Sequence, residues 1–325
     1  MTQTMAEPGA SLLRRLKNRQ LLLLIAIDEA QSLRRAAARL NMTQPSATKL
    51  LQDLEATLGL PLFERGRRGL KATVYGEVMT RHARLILNDL DRTRLELEAL
   101  ASGATGRLKI GAVISAIPFL LARAVAALKR DRPRLDVSID VGTSDALVPM
   151  LAKGELDVLL ARPLALAGRT EFDYEDLIDE PLHIVARLGH PLMSASSLGL
   201  ADLASWPWTL LPAASPMRKV LAPLFAEMMT HQPLDVVETS SMMTMVALLQ
   251  ESDMLAVMPA DVAEFSIRHG LLCRLNVAVP PIMGSYGIVT RRDRPLSPGT
   301  TAFIGCLKDC LIGGGASLPL PERPR

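Results

Sequence analysis

Over roughly the first hundred positions, apolar residues recur three and four apart, the spacing of one helix face. Beyond about residue 107 they gather into short runs separated by helical stretches. Segment 18–30 predicts a core helix, with Leu21, Leu22, Ile25 and Ala26 on its buried side. Segment 32–58, SLRRAAARLNMTQPSATKLLQDLEATL, predicts two more helices around a tight turn. Ser32 can cap the first, Ala36, Ala37 and Leu40 form its apolar stripe, and Asn41-Met42 makes the turn. Thr43 then caps a helix with Pro45 inside its first turn, where a missing N–H and a fixed φ cost nothing. Leu50, Leu51, Leu54 and Leu58 would anchor that helix, leaving Gln44, Ser46, Thr48 and Lys49 on its leading turns. Small residues at a helix crossing and polar ones at the leading end suit a helix-turn-helix entering a major groove.

Phe63 follows as a plug for the core, and the glycine-punctuated stretch after it predicts a wing of two short strands turning at 66–69. Its cations Arg65, Arg67, Arg68 and Lys71 would sit against phosphates and position the helix rather than read sequence. Segment 73–101 predicts one long helix, in which Met79, Ala83, Ile86, Leu90, Thr93, Leu97 and Leu100 alternate spacings of four and three. Such a helix runs roughly 40 Å, more than so small a domain can cover, so homodimerisation through this seam is expected.

Segment 101–107, ASGATGR, reads as a hinge. After it, strands are expected at 108–114, 135–141, 156–161, 183–187, 208–211, 235–238, 254–258 and 286–290. Helices are expected at 118–130, 144–153, 217–229, 241–251, 260–269 and 298–311. This alternation argues a mainly parallel sheet covered on both faces, as one large domain or two lobes with a cleft. Residues 1–16 and 312–325 are expected to be a flexible N-terminal tail and a disordered C-terminal tail.

Charge sharpens the picture. The net charge is only +3, yet segment 11–72 holds twelve Lys or Arg against five Asp or Glu. That local +7 leaves −4 for the rest of the chain, so a polyanion partner is expected for the first part alone. Aromatic residues are nearly absent from the basic stretch, which favours double-stranded DNA over single strands or RNA. No run has bilayer-spanning length and the N-terminus lacks a signal-peptide pattern, so a cytoplasmic protein with no membrane partner is expected. Cys273, Cys306 and Cys310 make no disulfide framework; Cys306 and Cys310, one helical turn apart, are expected to pack rather than to sense oxidants. No cofactor and no metal site is expected.

The order of parts resembles the LysR-type transcriptional regulators. Ser32, Ala36-Ala37, Leu40, Thr43-Gln44-Pro45-Ser46, Leu54-Glu55, Leu58-Gly59, Leu62-Phe63, Arg65, Arg68, Thr73 and Gly76 carry the resemblance, and GTSDALVPMLAKGELDVLLARP looks like the family's first effector lobe. It covers 17–311, and 15–55 looks especially close to regulators of galactose-binding-protein and protocatechuate genes. Departures are mild: Thr43 stands where serine is commoner, Tyr75 where alanine often precedes the glycine, and the N-terminal tail is longer. The resemblance implies a winged helix-turn-helix (17–73), a dimerising linker helix (74–101) and a two-lobed, periplasmic-binding-protein-like α/β effector domain (107–311). Lobe I would combine 107–163 with 284–311, and lobe II would span 171–283. It further implies tetramers, an interrupted palindrome in promoter DNA, a small-molecule effector that changes DNA bending, and RNA polymerase as a further partner.

Arg34 joins Thr43, Gln44, Pro45, Ser46, Thr48, Lys49, Arg65, Arg67, Arg68 and Lys71 in the expected DNA-facing set. Strand ends facing a cleft nominate Ser115, Thr143, Ser144, Arg162, Ser215, Ser240 and Ser241 for the effector. Arg162 could pair with a ligand carboxylate, while the hydroxyls suit a sugar, so a sugar and an organic or aromatic acid both stay open; a Ser or Thr before a helix also serves simply as an N-cap. Two rivals are an α/β enzyme on a DNA-binding anchor and a small-molecule-binding protein with an incidental basic unit. His82, His183, His190, His231 and His269 are scattered with no HExxH, GxSxG, P-loop or GxGxxG nearby, so no enzyme is expected. The incidental-unit reading leaves the charge split unexplained.

Overall fold

The computed structural model describes residues 16–66, 69–102, 106–195, 198–228 and 234–313. Arg67 and Arg68 lie outside the described residues, as does nearly all of the two expected tails; Ile312 and Gly313, expected in the C-terminal tail, continue the last helix. Two compact units divide the chain between Gly103 and Ala104, apart from the short Lys153–Glu155 segment.

The first unit contains α1 (Asn18–Ala30), α2 (Leu33–Arg39), α3 (Gln44–Leu58), the antiparallel hairpin β1 (Phe63–Gly66) and β2 (Gly69–Ala72), and the long α4 (Val74–Ser102). Ser32 Oγ accepts the Arg35 amide and Thr43 Oγ1 the Ser46 amide, both at 3.4 Å, so both expected caps form. Between them Asn41 takes the left-handed conformation (φ 52°) that turns the chain, which a short polar side chain tolerates. Ala36, Ala37 and Ala47, all buried, let α2 and α3 approach α1, whose Leu21, Leu23, Leu24 and Ile27 fill the core with Leu51, Leu54, Leu62 and Phe63. Each such leucine or isoleucine contributes about 1.5–3 kcal/mol by leaving water. Leu22, expected inside, is 42% exposed, because the stripe of α1 runs through its neighbours Leu23 and Leu24.

The seam on α4 divides. Ala83 is buried and Met79 half-buried against the unit's own core, together with Leu87. Ile86, Leu90 and Leu97 remain exposed, as do Val74, Tyr75 and Val78 near the helix start. A straight helix drifts about 20° per heptad from a strict 3.5-residue repeat, so residues in one sequence register come to face different surroundings. The side chain of Leu100 lies outside the described residues.

The start of α4 is pinned by close polar contacts. Glu55 Oε1 accepts the Leu62 amide at 2.7 Å and the Phe63 amide at 3.3 Å. Thr73 Oγ1 donates to the Pro61 carbonyl at 2.7 Å and accepts the Gly76 amide at 3.1 Å. Arg84 pairs with Asp28 at 3.0 Å, tying α4 to α1.

The second unit is α/β. A five-stranded sheet has the order β4-β3-β5-β12-β6, built from β3 (Arg107–Ala112), β4 (Asp136–Val141), β5 (Val158–Ala161), β6 (Phe172–Asp179) and β12 (Ser285–Arg291). The strands β3, β4 and β5 are parallel, whereas β12 runs antiparallel to both β5 and β6. Leu108, Ile110, Val158, Leu160, Tyr286 and Ile288 turn to one face, against α5 (Ala122–Asp131) and Phe303 and Leu307 of α11 (Pro298–Gly313). Leu159, Ala161 and Val289 turn to the other, against α6 (Ser144–Ala152). Cys306 and Cys310 are half-buried against the first face, and burial pushes the Cys306 thiol up from its ordinary range.

A second sheet has β7 (Leu182–Arg187) between β10 (Ala256–Pro259) and β11 (Leu272–Arg274), all antiparallel. Beside it lies a parallel pair, β8 (Trp208–Leu210) and β9 (Val236–Glu238), joined to the sheet through a bridge from Trp208 to Leu255. The helices α7 (Pro216–Val220), α8 (Ala222–Met228), α9 (Met242–Gln250) and α10 (Ala260–Arg268) cover this half.

Several expectations change. The mainly parallel sheet is realised only in β3–β5 and β8–β9. The expected helix 217–229 breaks between Val220 and Ala222, where Pro223 lacks the N–H a continuous helix would use. The expected helix 118–130 is helical throughout: Ile117–Leu121 form a π-helical turn that runs into α5, after a 3₁₀ turn at Ile114–Ala116. The strand β6 was not expected at all, and its residues, assigned to lobe II, belong to the five-stranded sheet. Its alternating carboxylates mark an exposed edge rather than a buried strand, and hydrogen bonds to β12 fix it there.

Replacing Gly76 with alanine would bring the new Cβ to 2.0 Å from the Leu62 carbonyl oxygen, a backbone atom that cannot simply swing away. Gly76→Ala is expected to destabilise the first unit by about 1–3 kcal/mol, read as a lowered unfolding midpoint. An unchanged midpoint would show that α4 is not pinned against Leu62.

Candidate nucleic-acid interface and ligand cleft

The first candidate site is the outer surface of α2, α3 and the hairpin. Arg34, Thr43, Gln44, Pro45, Ser46 and Lys49 are exposed and Thr48 is half-exposed. Two of these hydroxyls are engaged locally: Thr43 Oγ1 and Ser46 Oγ lie 2.8 Å apart, and Thr48 Oγ1 donates to the Gln44 carbonyl at 3.0 Å. Gln44 and Lys49 therefore present the longest uncommitted side chains on the leading turns of α3. Arg39 is paired with Glu29 at 3.1 Å, which sets it apart from this group.

The hairpin divides its cations. Arg65 lies opposite Leu70, and Lys71 lies opposite Glu64, so the two occupy different faces of the ribbon. Arg65 and Lys71 are both exposed, but only Lys71 has a carboxylate directly across from it.

The second site lies in the α/β unit, where β6 leads into β7. Two of the expected effector residues, Arg162 and Ser115, converge there on a residue that sequence reasoning missed, Glu180, and a third, Ser144, holds the Arg162 backbone. Its carboxylate, with the side chain 2% exposed, is clasped by Arg162, whose Nε donates to Oε2 at 2.7 Å and Nη2 to Oε1 at 2.5 Å. Ser115, itself buried, donates its hydroxyl to Glu180 Oε1 and accepts from Arg162 Nη2 at 3.3 Å. Ser144, also buried, accepts the Arg162 amide at 3.1 Å. The guanidinium nominated for a ligand carboxylate thus already holds a carboxylate of its own chain. A signal existed in Asp179-Glu180-Pro181, two acids before a proline at a strand end.

The other nominated residues stay apart from this group. Thr143 is exposed beside Ser144. Ser215 Oγ accepts the Arg218 amide at 3.3 Å and Ser241 Oγ the Thr244 amide at 3.2 Å, so both are N-caps. Ser240 is exposed.

Beside Glu180 lies a cavity of about 10 Å³, lined by Ser115, Asp179, Glu180, Asp261 and Tyr286 with Pro181, Pro259 and Ala260. That is the space of about one water molecule. Burial, and then the nearby Glu180 charge, push the Asp261 carboxyl above the usual carboxylate range, with Arg268 pulling the other way. Burial, followed by the charges of Asp261 and Glu180, pushes the Tyr286 phenol far up, so its proton stays on. Tyr286 Oη is buried without a hydrogen-bond partner. Tyr286 is held there by a register shift next to Gly287, where a Cβ would meet the Glu175 carbonyl oxygen at 2.1 Å. Among the described residues no cluster of three or more His, Cys, Asp or Glu could hold a metal ion, and no helix is long and apolar enough to cross a membrane.

Two family profiles match the chain: "Bacterial regulatory helix-turn-helix protein, lysR family" over residues 18–77 and "LysR substrate binding domain" over residues 101–311. The regulator GbpR of Azospirillum brasilense is 37% identical over 95% of this chain and 91% of its own length. GalR of Pseudomonas putida is 30% identical over 90% of this chain and 74% of its own. Among solved structures, full-length CbnR complexed with its target DNA superposes with a TM-score of 0.60 at 24% identity, covering 91% of this chain and 100% of that one. A full-length OxyR variant from Pseudomonas aeruginosa gives a TM-score of 0.62 at 21% identity over 94% of this chain and 99% of that one. These two likenesses share the fold: a helical N-terminus and an α/β C-terminus.

Removing one member of a buried ion pair strands the other. Arg162→Ala is expected to destabilise the α/β unit by about 3–5 kcal/mol, and adding Glu180→Gln should restore much of the loss. Denaturant unfolding of the single and double variants checks this; equal losses in both would mean that the charge pairing at Glu180 does not matter.

Proposed function

The chain belongs to the LysR family of helix-turn-helix transcriptional regulators, which bind promoter DNA and small-molecule effectors and form oligomers, and we propose how its own residues divide that work. The family is not enzymatic, so the enzyme alternative falls away. In this reading α3 enters the major groove, with Gln44, Ser46, Thr48 and Lys49 toward base edges and Thr43 and Pro45 shaping its leading turn. Arg34, Arg65, Arg67, Arg68 and Lys71 neutralise phosphates on either side. The observation that carries this is the exposed polar end of α3 beside exposed cations, in a segment of net charge +7.

The exposed residues Ile86, Leu90 and Leu97 on α4 serve as the homodimer seam, which pairs two recognition helices on an interrupted palindrome. Dimers then join as tetramers, and RNA polymerase is a further contact at the promoter. The protein works in the cytoplasm. A small effector binds the α/β unit around Ser115, Thr143, Ser144 and Arg162, with Ser215, Ser240 and Ser241 from the opposite side, and alters how the DNA is held.

The test is footprinting of the DNA upstream of the protein's own gene, with binding measured across a salt series. Each phosphate-contacting cation replaced, Arg65→Ala for example, should weaken all sequences alike and flatten the slope of log K against log salt by about 0.9. Gln44→Ala and Lys49→Ala should instead cost about 1–3 kcal/mol on the specific site and little elsewhere. Unchanged promoter binding in all three variants would place the DNA face on another surface.

A further inference from the structure

We propose that the cavity beside Glu180 takes a hydroxyl group of a neutral polyhydroxylated ligand, such as a sugar, and rejects carboxylates; this rests on the effector-regulated reading above. Asp179, Glu180 and Asp261 all line the cavity, and no Lys, Arg or His is among its lining residues. The neighbouring Arg162 is committed to Glu180 through two hydrogen bonds, and Arg268, which faces Asp261, is paired with Glu264 at 2.8 Å. An incoming carboxylate would therefore meet the Glu180 and Asp261 carboxyls with no uncommitted cation among the lining residues. Charge alone does not name the ligand, and the second observation is Tyr286.

Tyr286 lines the same cavity, and its Oη, which feels the charges of Asp261 and Glu180, is buried and makes no hydrogen bond. Buried polar groups are ordinarily satisfied, so an orphan hydroxyl at a cavity wall points to a missing partner. A ligand hydroxyl fits this set because it can accept from the phenol and donate to a carboxylate at once. An ammonium group could donate to the acids but offers nothing to the phenolic proton. A carboxylate could accept that proton but opposes the acids.

The cavity also lies where the chain crosses between the two sheets. The Glu180 amide donates to the Gly284 carbonyl at 2.9 Å, and the Ala260 amide to the Pro181 carbonyl at 2.8 Å. A hydroxyl held there would touch Ser115 and Tyr286 of the first sheet's side and Asp261 of the second's, biasing their relative arrangement. With about 10 Å³ available, one hydroxyl enters and the rest of the ligand must lie outside the cavity.

The test is calorimetric titration of the full-length protein with glucose, galactose, arabinose and xylose, and with gluconate and galactonate as carboxylate counterparts. At least one neutral sugar should bind, at least tenfold more tightly than its aldonate. Tyr286→Phe removes only an unpaired hydroxyl, so its unfolding midpoint should stay level or rise while sugar affinity drops about fivefold or more, as for one lost hydrogen bond. Asp261→Asn should narrow the discrimination against aldonates. Tighter binding of the aldonates, no binding of any neutral sugar at tens of millimolar, or a Tyr286→Phe protein with wild-type affinity would each overturn the proposal. Gel shifts on promoter DNA without ligand keep the outcomes separable: intact DNA binding with the wrong ligand preference sinks the ligand class alone, and absent DNA binding sinks the regulatory reading beneath it.

Discussion

A carboxylate buried to 2% exposure must find its charge partners inside the protein, and that requirement organises the α/β unit. Glu180 sits on the connection from β6 to β7, Arg162 just past β5, and Ser115 just past β3. Satisfying one acid therefore fixes the ends of three strands relative to one another. A well-packed apolar replacement for such a pair is often as stable, so its contribution lies in geometry more than in net free energy. The same clasp explains why the cavity is acidic in effect: it commits Arg162 to Glu180 and leaves Asp261 without that cation.

The first unit solves a different problem. It must expose a helix end on a rigid base, using few residues. Alanines at 36, 37 and 47 bring the helices together, and the side chain of Glu55 satisfies two amides at the entrance to the hairpin. The close approach of Gly76 to Leu62 then fixes where α4 begins. The Glu55 and Gly76 contacts are backbone-directed, so the orientation of the wing relative to α3 does not depend on long, mobile surface side chains.

Much of this was legible in the chain. The caps at Ser32 and Thr43, the turn at Asn41, the hairpin and the long helix follow from local rules, because each depends on residues within ten positions or fewer. The failures have non-local causes. The strand β6 carries too many acids to read as part of a sheet, and only its pairing with β12, more than a hundred residues later, makes it one. The pairing of Arg162 with Glu180 is likewise non-local, since a partner eighteen residues away falls outside any single periodic segment. Met79 and Ala83 share a heptad register with Leu97, yet a straight helix turns them toward their own domain. Tyr286 carries no sequence signal at all: an unpaired hydroxyl exists only once the core is assembled.

The charge split gives residues 11–72 and the rest of the chain complementary relations to DNA. A segment at +7 is drawn to a polyanion, whereas the remaining −4 is repelled by it, so the body of the protein does not compete with its reading face. Because log affinity falls linearly with log salt in proportion to the phosphates neutralised, the strength of binding is set by how many cations reach the backbone together. In a dimer that number depends on the spacing of the two reading faces. A ligand that shifts the α/β unit need not add or remove a charge: it is enough to move one cation-bearing face out of step with the groove. A neutral ligand is suited to this role, since it changes the geometry and leaves the electrostatic attraction to DNA intact.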